Sequence, residues 1–408
     1  MKETVIKSLF SLVLFSIIFL SACEEAALPL NIDETPLFVD TVSFPVIQTI
    51  TYQVPPKLGA NEYLYFGRKG DFKFLYNLLS FNIVDSTNLY SFKYYNDSLI
   101  VADSMKLIMN FTLDSIPDSP EFQLRYFPSQ SDSVFNELET NIFNFDPNIA
   151  SSIISNSSMS VDSVDSNTTK VKLSFLIDTT IINVFKDTSL ITFNQTFLIE
   201  LKNEFTSELK FFSSDNIANP PKLLVYYRQF LSDSVVLDSS FHTYYSTQDV
   251  SIMDKVMVST EDTTNLSVGL AKGLRSLLMV DMGDWVLPPR AIISSAELTY
   301  NRVEADTLKA YSVLSYPIII EGDYSSFNFF ELDPYIIESN FQSSASINNN
   351  ILKLNYRKIS TEFGRGKIIN YGFKIQSNPN NDPFQTVQFH SLSSPDLYPE
   401  MRVIYVYQ

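Results

Sequence analysis

The sequence predicts an all-β chain organised as two tandem β-sandwich domains with few short helices. Three observations carry that expectation: period-two apolar alternation, turn-forming clusters between the alternating runs, and an internal repeat. Val171, Leu173, Phe175 and Ile177 occupy every second position of one run, and Leu352, Leu354 and Tyr356 do so in another. This spacing puts one face of a strand into a core and leaves the other toward water. Between such runs lie clusters such as Leu113-Asp114-Ser115-Ile116-Pro117-Asp118. There the Asp and Ser side chains bond their own backbone and close turns. Many short strands with regular turns point to sandwiches or barrels. Helix-like spacing is confined to Ser133–Phe143 and Phe329–Phe341.

The repeat rests on three blocks in the same order. Leu75-Tyr76-Asn77-Leu78-Leu79-Ser80-Phe81-Asn82 parallels Leu274-Arg275-Ser276-Leu277-Leu278-Met279-Val280-Asp281. Upstream, Leu64-Tyr65-Phe66-Gly67 parallels Leu266-Ser267-Val268-Gly269. Downstream, Phe211 through Tyr227 parallels Phe389 through Tyr405 without a gap. The repeats are placed at 37–228 and 229–408. Residues 23–408 would hold two or three domains at ~150 residues each, which agrees.

The N-terminus predicts export. Lys2 and Lys7 precede an apolar run from Ser8 to Leu20. That run falls short of the roughly 20 residues that span a bilayer as a helix, and fits the core of a signal peptide over 1–22. Leu20-Ser21-Ala22-Cys23 resembles the lipobox of bacterial lipoproteins. The resemblance implies cleavage before Cys23, lipid attachment to its sulfur and a lipidated tether over 23–36. Cys23 is the sole cysteine, so no internal disulfide can form. Glu24-Glu25 lacks the Asp of inner-membrane retention and resembles the surface-export signals of Bacteroidetes-type lipoproteins. The expected location is the outer membrane, with the cell surface as its further extension.

Charge narrows the partners. The chain carries a net −17, and removal of Lys2, Lys7 and Glu3 with the signal peptide leaves 27 basic and 45 acidic residues, a net −18. Such a surface repels nucleic acid and anionic lipid. Hydrophobic residues make up 45%, with 33 Phe and 22 Tyr, ample for a large core.

Leu274 through Asp281, followed by Leu287-Pro288-Pro289-Arg290-Ala291-Ile292-Ile293-Ser294-Ser295-Ala296-Glu297-Leu298, resembles the opening of a DNRLRE (disaggregatase-related) module. Asn370-Tyr371-Gly372-Phe373-Lys374-Ile375 and the Pro399-to-Tyr405 strand resemble that family's final third. The first repeat departs from the pattern. It carries an insertion after Asp85, and has Asn194-Gln195-Thr196-Phe197 where the second keeps Asn-Tyr-Gly-Phe. The family's central tryptophan is replaced in both repeats, with Phe185 and Phe363 nearby. The resemblance implies jelly-roll-like sandwiches related to carbohydrate-binding modules. Its motif residues are core and turn positions, so it speaks to fold rather than function.

Chemistry is thin in the sequence. The two histidines, His242 and His390, fall in different repeats, and one cysteine precludes zinc-finger spacing. No nucleophile elbow, phosphate loop or dinucleotide fingerprint occurs. No catalytic residue and no cofactor is therefore expected. Asp162, Asp165 and Asp178 are the acids that a structural calcium would use, but no EF-hand loop surrounds them, and a solvated acidic loop is the plainer reading. Trp285, the sole tryptophan, is a candidate for stacking on a sugar, against the plainer reading of a lid over a sandwich end. Arg275 is a second candidate ligand-binding residue, a cation that, like Lys272, could line a local groove. The expected function is a lipid-anchored surface binding protein for polysaccharide, without catalysis. The alternative is an assembly lipoprotein that binds an envelope protein, and a more distant one is a polysaccharide lyase. A groove of tyrosines and cations would favour the first; an apolar patch or an open sheet edge would favour the second.

Overall fold

The computed structural model describes residues 37–81, 92–96, 99–113, 120–127, 136–151, 153–164, 169–186, 195–203, 205–232, 235–254, 256–303 and 310–408. The chain is all-β, as its alternation predicts. The first repeat contains β1 (Phe38–Gln53), β2 (Tyr63–Lys69), β3 (Phe72–Ser80), β4 (Ile100–Leu113) and β5 (Phe122–Phe127). There follow β6 (Ile153–Val164), β7 (Thr169–Ile177), α1 (Ile181–Lys186), β8 (Thr196–Leu201), β9 (Glu208–Phe212) and β10 (Lys222–Ser232). The second repeat opens with β11 (Val235–Tyr245), β12 (Gln248–Met253), α2 (Thr260–Thr264), β13 (Leu266–Gly269) and β14 (Leu274–Val280). It continues with β15 (Ile292–Asn301), β16 (Ser312–Pro317), β17 (Ser343–Ser346) and β18 (Ile351–Asn355). It closes with α3 (Arg357–Gly364), β19 (Phe373–Ser377), β20 (Thr386–Phe389) and β21 (Glu400–Tyr407).

Two sandwiches result, and their connectivity matches strand for strand. In one, β5-β8-β3-β12 form one layer and β11-β10-β4-β7 the other. In the other, β16-β19-β14-β1 and β1-β21-β15-β18 are the counterparts. The register places Leu79 opposite Phe197 and Leu278 opposite Phe373, so the aligned blocks occupy the same places.

The first strand of each repeat completes the sandwich of the other. β1 pairs through Phe38–Pro45 with β21 and through Val46–Gln53 with β14, crossing between layers at an irregularity between Val46 and Gln48. Reciprocally, β11 pairs with β10, and β12 pairs with β3. The exchanged strands match residue by residue: Phe44 with Tyr244, Gln48 with Gln248, Ile50 with Val250, Thr51 with Ser251. Neither 37–228 nor 229–408 is therefore closed, and the 228/229 boundary falls inside β10. The cause is chain length between strands. Ser232 pairs with Val235, a tight reversal that lays β11 directly against β10. The second sandwich is left with a vacancy between β14 and β21, and β1 fills it.

A shared hydrogen-bond network fixes both exchanged strands. Ser267 N donates to Thr51 Oγ1 at 3.0 Å, and that hydroxyl lies 2.9 Å from Ser276 Oγ, which donates to Ser267 O at 2.9 Å. At the equivalent place Tyr65 N donates to Ser251 Oγ at 2.8 Å and Ser251 donates to Asn77 Oδ1 at 2.6 Å. Asn77 Nδ2 then donates to Tyr65 O at 2.8 Å. All four side chains are buried, where an unmade bond costs about 1–3 kcal/mol. The network therefore selects hydroxyl or amide groups at these positions.

Each sandwich has its own core, and each core includes residues of the exchanged strand. Phe44 and Val46 join Leu278, Val280, Met401 and Val403 in one; Tyr244 joins Leu79, Phe197, Leu223 and Val225 in the other. The outer faces of β3 and β14 are covered by equivalent segments. Phe145 and Ala150 pack on Leu78, Leu198 and Val250, while Ile318 and Tyr335 pack on Leu277 and Tyr52. The two covers touch, with the Phe143 and Phe329 rings 5.1 Å apart.

These covers correct the expected helices. Residues 136–143 form turns, 329–338 run as loop with single bridges, and only Ser339–Phe341 makes a 3-10 turn; 133–135 lie outside the described residues. Phe143 N donates to the Asn141 side chain and Asn141 N to that of Asn144, local bonds that compete with helix. Pro334 breaks the other run. Their spaced aromatics serve packing on a sheet. The α-helices among the described residues are α1, α2 and α3 instead.

Candidate functional site

Arg275 sits at the start of β14, on the face beneath the 318–338 cover. Its guanidinium is ion-paired with Asp333 of that cover. The same carboxylate accepts from Lys374 Nζ on β19 at 2.8 Å and from the Tyr52 hydroxyl on β1 at 3.2 Å. Lys374 also donates to Tyr335 O at 2.9 Å. Three strands and a loop are thus pinned to one carboxylate, with the Lys374 side chain only 5% exposed. Burial pushes the Lys374 ammonium down to about 8, and the Asp333 charge opposes that only in part. Burial pushes the Asp333 carboxyl up, and Arg275 and Lys374 together more than reverse it, holding it below its ordinary range.

The first sandwich carries Tyr76, Leu198 and Ile252 at the positions of Arg275, Lys374 and Tyr52. Apolar packing therefore suffices to hold a cover on this face, as expected from the weak net value of buried ion pairs. The cluster has two cations for one anion, and Arg275 also lines a cleft.

That cleft, about 180 Å³, is lined by Lys57, Leu138, Gly269, Leu274, Arg275 and Gln376, among others. Its floor is the turn at Gly273, whose φ of 65° and approach to Val54 O leave no room for a Cβ. A second cleft, of about 300 Å³, is lined by Gly67, Arg68, Lys73, Leu75, Glu200, Lys202 and Phe205, among others. The two occupy matching places in their sandwiches, since Gly67 corresponds to Gly269, Leu75 to Leu274, and Glu200 to Gln376 by strand register, but their cations stand at unmatched positions. Glu200 is already paired with Arg125 at 3.5 Å. Among the described lining residues the Gly269 cleft has two cations and no acid, and the Gly67 cleft three cations and one acid.

The other candidates are dispersed. Trp285 lies beyond the far end of β14 from Arg275, so the two do not meet. It is half-buried, with its ring 5.2 Å from Phe44 edge-on and 6.2 Å from Tyr405, and Gly364 passes against it. It closes the end of the second sandwich. Lys272 is committed to Asp262 at 2.8 Å, pinning the capped helix α2. His242 Nδ1 lies 2.8 Å from the Tyr95 hydroxyl among Tyr94 and Tyr227, and burial lowers its pKa. His390 Nδ1 lies 2.9 Å from Ser394 Oγ in the other sandwich. Asp178 accepts from Thr180 N at 2.8 Å in the turn before α1. Asp162 lies on β6, while Asp165 and Cys23 lie outside the described residues. Among the described residues no three of His, Cys, Asp and Glu gather as a metal site, and no helix is long and apolar enough to cross a membrane.

Of the cluster, sequence reasoning reached Arg275 and missed Asp333 and Lys374. Lys374 left a trace, as a cation inside the apolar run Phe373-Lys374-Ile375, which demands a buried acid. Nothing local marks Asp333 as that acid. Neither protein-family models nor curated proteins give a match to the chain.

Proposed function

We propose that this protein is a lipid-anchored envelope protein that binds polysaccharide without turning it over. The observation that carries the reading is the pair of clefts at matching places, one on each sandwich. Two weak sites on one chain raise avidity for a polymer through effective concentration, whereas a monomeric ligand gains nothing from the duplication. The lipobox-like Leu20-Ser21-Ala22-Cys23 and the resemblance to carbohydrate-binding-like modules support the same reading. The described linings contain Phe205 but no tyrosine, so ion pairs and hydrogen bonds, rather than ring stacking, would carry recognition.

One observation favours the assembly alternative. The β10–β11 hairpin forms an open sheet edge, with Leu231 68%, Val235 50%, Leu237 57% and Phe241 54% exposed. Such an edge can accept another protein's strand.

A glycan array probed with purified residues 24–408 separates the two. Retention of at least one polymer with micromolar affinity and no release of sugar supports the proposal. A blank array together with co-purification of an envelope protein sinks it, and released unsaturated sugars would reveal catalysis. Anchoring has its own readout: radiolabelled fatty acid enters the wild type and not Cys23→Ala, and label in both variants contradicts the lipid anchor.

A further inference from the structure

We infer that the two clefts select anionic sugar units, uronate or sulfate, over neutral ones. This rests on the polysaccharide reading and deepens it. The chain as a whole has 46 acidic and 29 basic residues, so a random cleft should be lined mostly by acids. Among their described lining residues both clefts instead collect cations: Lys57 and Arg275 in one, Arg68, Lys73 and Lys202 in the other. In the second cleft Arg275 is paired with Asp333, which it shares with the buried Lys374, and the exposed Lys57 has no acid beside it among the described lining residues. In the first cleft Glu200 is neutralised by Arg125, while Lys73 lies 3.8 Å from Asp254. Arg68 and Lys202 are exposed at its mouth.

The global negative charge does not cancel this. Charges on other faces are screened within about 8 Å at physiological ionic strength, whereas cleft cations would act at contact. A carboxylate or sulfate is also the group that Arg and Lys donors fit best, the guanidinium through paired N–H donors. The outer repulsion then serves selectivity, because a polyanion gains only where it reaches a cleft. Uronate and sulfate present the same anionic oxygens to these donors, and the probes separate them.

The test uses residues 24–408 with three polymers: polygalacturonate, a sulfated galactan and a neutral β-glucan. The expected result is binding to one or both acidic polymers at least about tenfold tighter than to the glucan, weakening as salt rises. Lys57→Glu and Lys202→Glu reverse an exposed charge at each cleft. Each alone should weaken binding by about tenfold or more through lost avidity, and the double variant should abolish it. Circular dichroism on the variants checks that the fold persists. Preference for acidic polymer over glucan, lost in the double variant, supports the inference. Equal binding of all three polymers, or acidic binding that survives the double variant, overturns it while leaving polysaccharide binding intact. No binding to any polymer overturns both.

Discussion

A chain beginning at residue 54 should lose its second sandwich, and a peptide of residues 37–53 added in trans should restore it. β1 contributes the buried Phe44, Val46 and Tyr52 to the second sandwich and stands between β14 and β21. Burial of three such side chains is worth about 5–9 kcal/mol at ~1.5–3 each. Removal also strips the ladder partners of both neighbours. A domain is typically stable by about 5–15 kcal/mol, so the second sandwich should unfold. The first sandwich keeps β11 and β12 and should survive. Thermal unfolding should then show one structured unit in the truncated chain and two after the peptide is added. A truncated chain that retains the full near-ultraviolet signal without peptide contradicts the exchange.

Asp333→Ala should destabilise the second sandwich by about 3–5 kcal/mol, because it leaves Arg275 and Lys374 without their shared anion in a buried site. Urea unfolding measures the loss, and an effect under ~1 kcal/mol, as at surface pairs, contradicts the pinning role. The pH dependence has a definite sign. Lys374 titrates near 8 when folded and near 10.5 when unfolded. Between those values the unfolded chain holds more protons, so stability rises with pH across that window. Lys374→Met should flatten this rise. The depressed carboxyl of Asp333 acts at the other end: its contribution is present above about 3.8 and is lost as pH falls through its lower folded value.

The fold class was legible because alternation and turn chemistry are local. The repeat was legible because Leu78 and Leu277, or Leu79 and Leu278, meet the same core demands. The exchange of β1 and β11–β12 was not. An apolar face at Phe44 and Val46 fits either sandwich, and the choice is made by the tight reversal at Ser232 and Val235, not by the strand itself. The false helices had a similar origin. The aromatics of 143–145 and 329–335 are spaced to rest on a sheet, a demand that mimics helical periodicity until Asn and Pro chemistry is weighed. Arg275 was legible in the sequence only as a cation that could line a groove. Its partner Asp333 lies in a cover whose docking depends on the whole sheet, and no spacing rule joins them.

Calorimetric titration of residues 24–408 with a short acidic oligosaccharide, polygalacturonate fragments too small to bridge two clefts, counts the sites. Two binding equivalents per chain, reduced to one by Lys57→Glu or by Lys202→Glu, is the result the paired clefts predict. A single equivalent untouched by either substitution, or no heat at millimolar ligand, would contradict them.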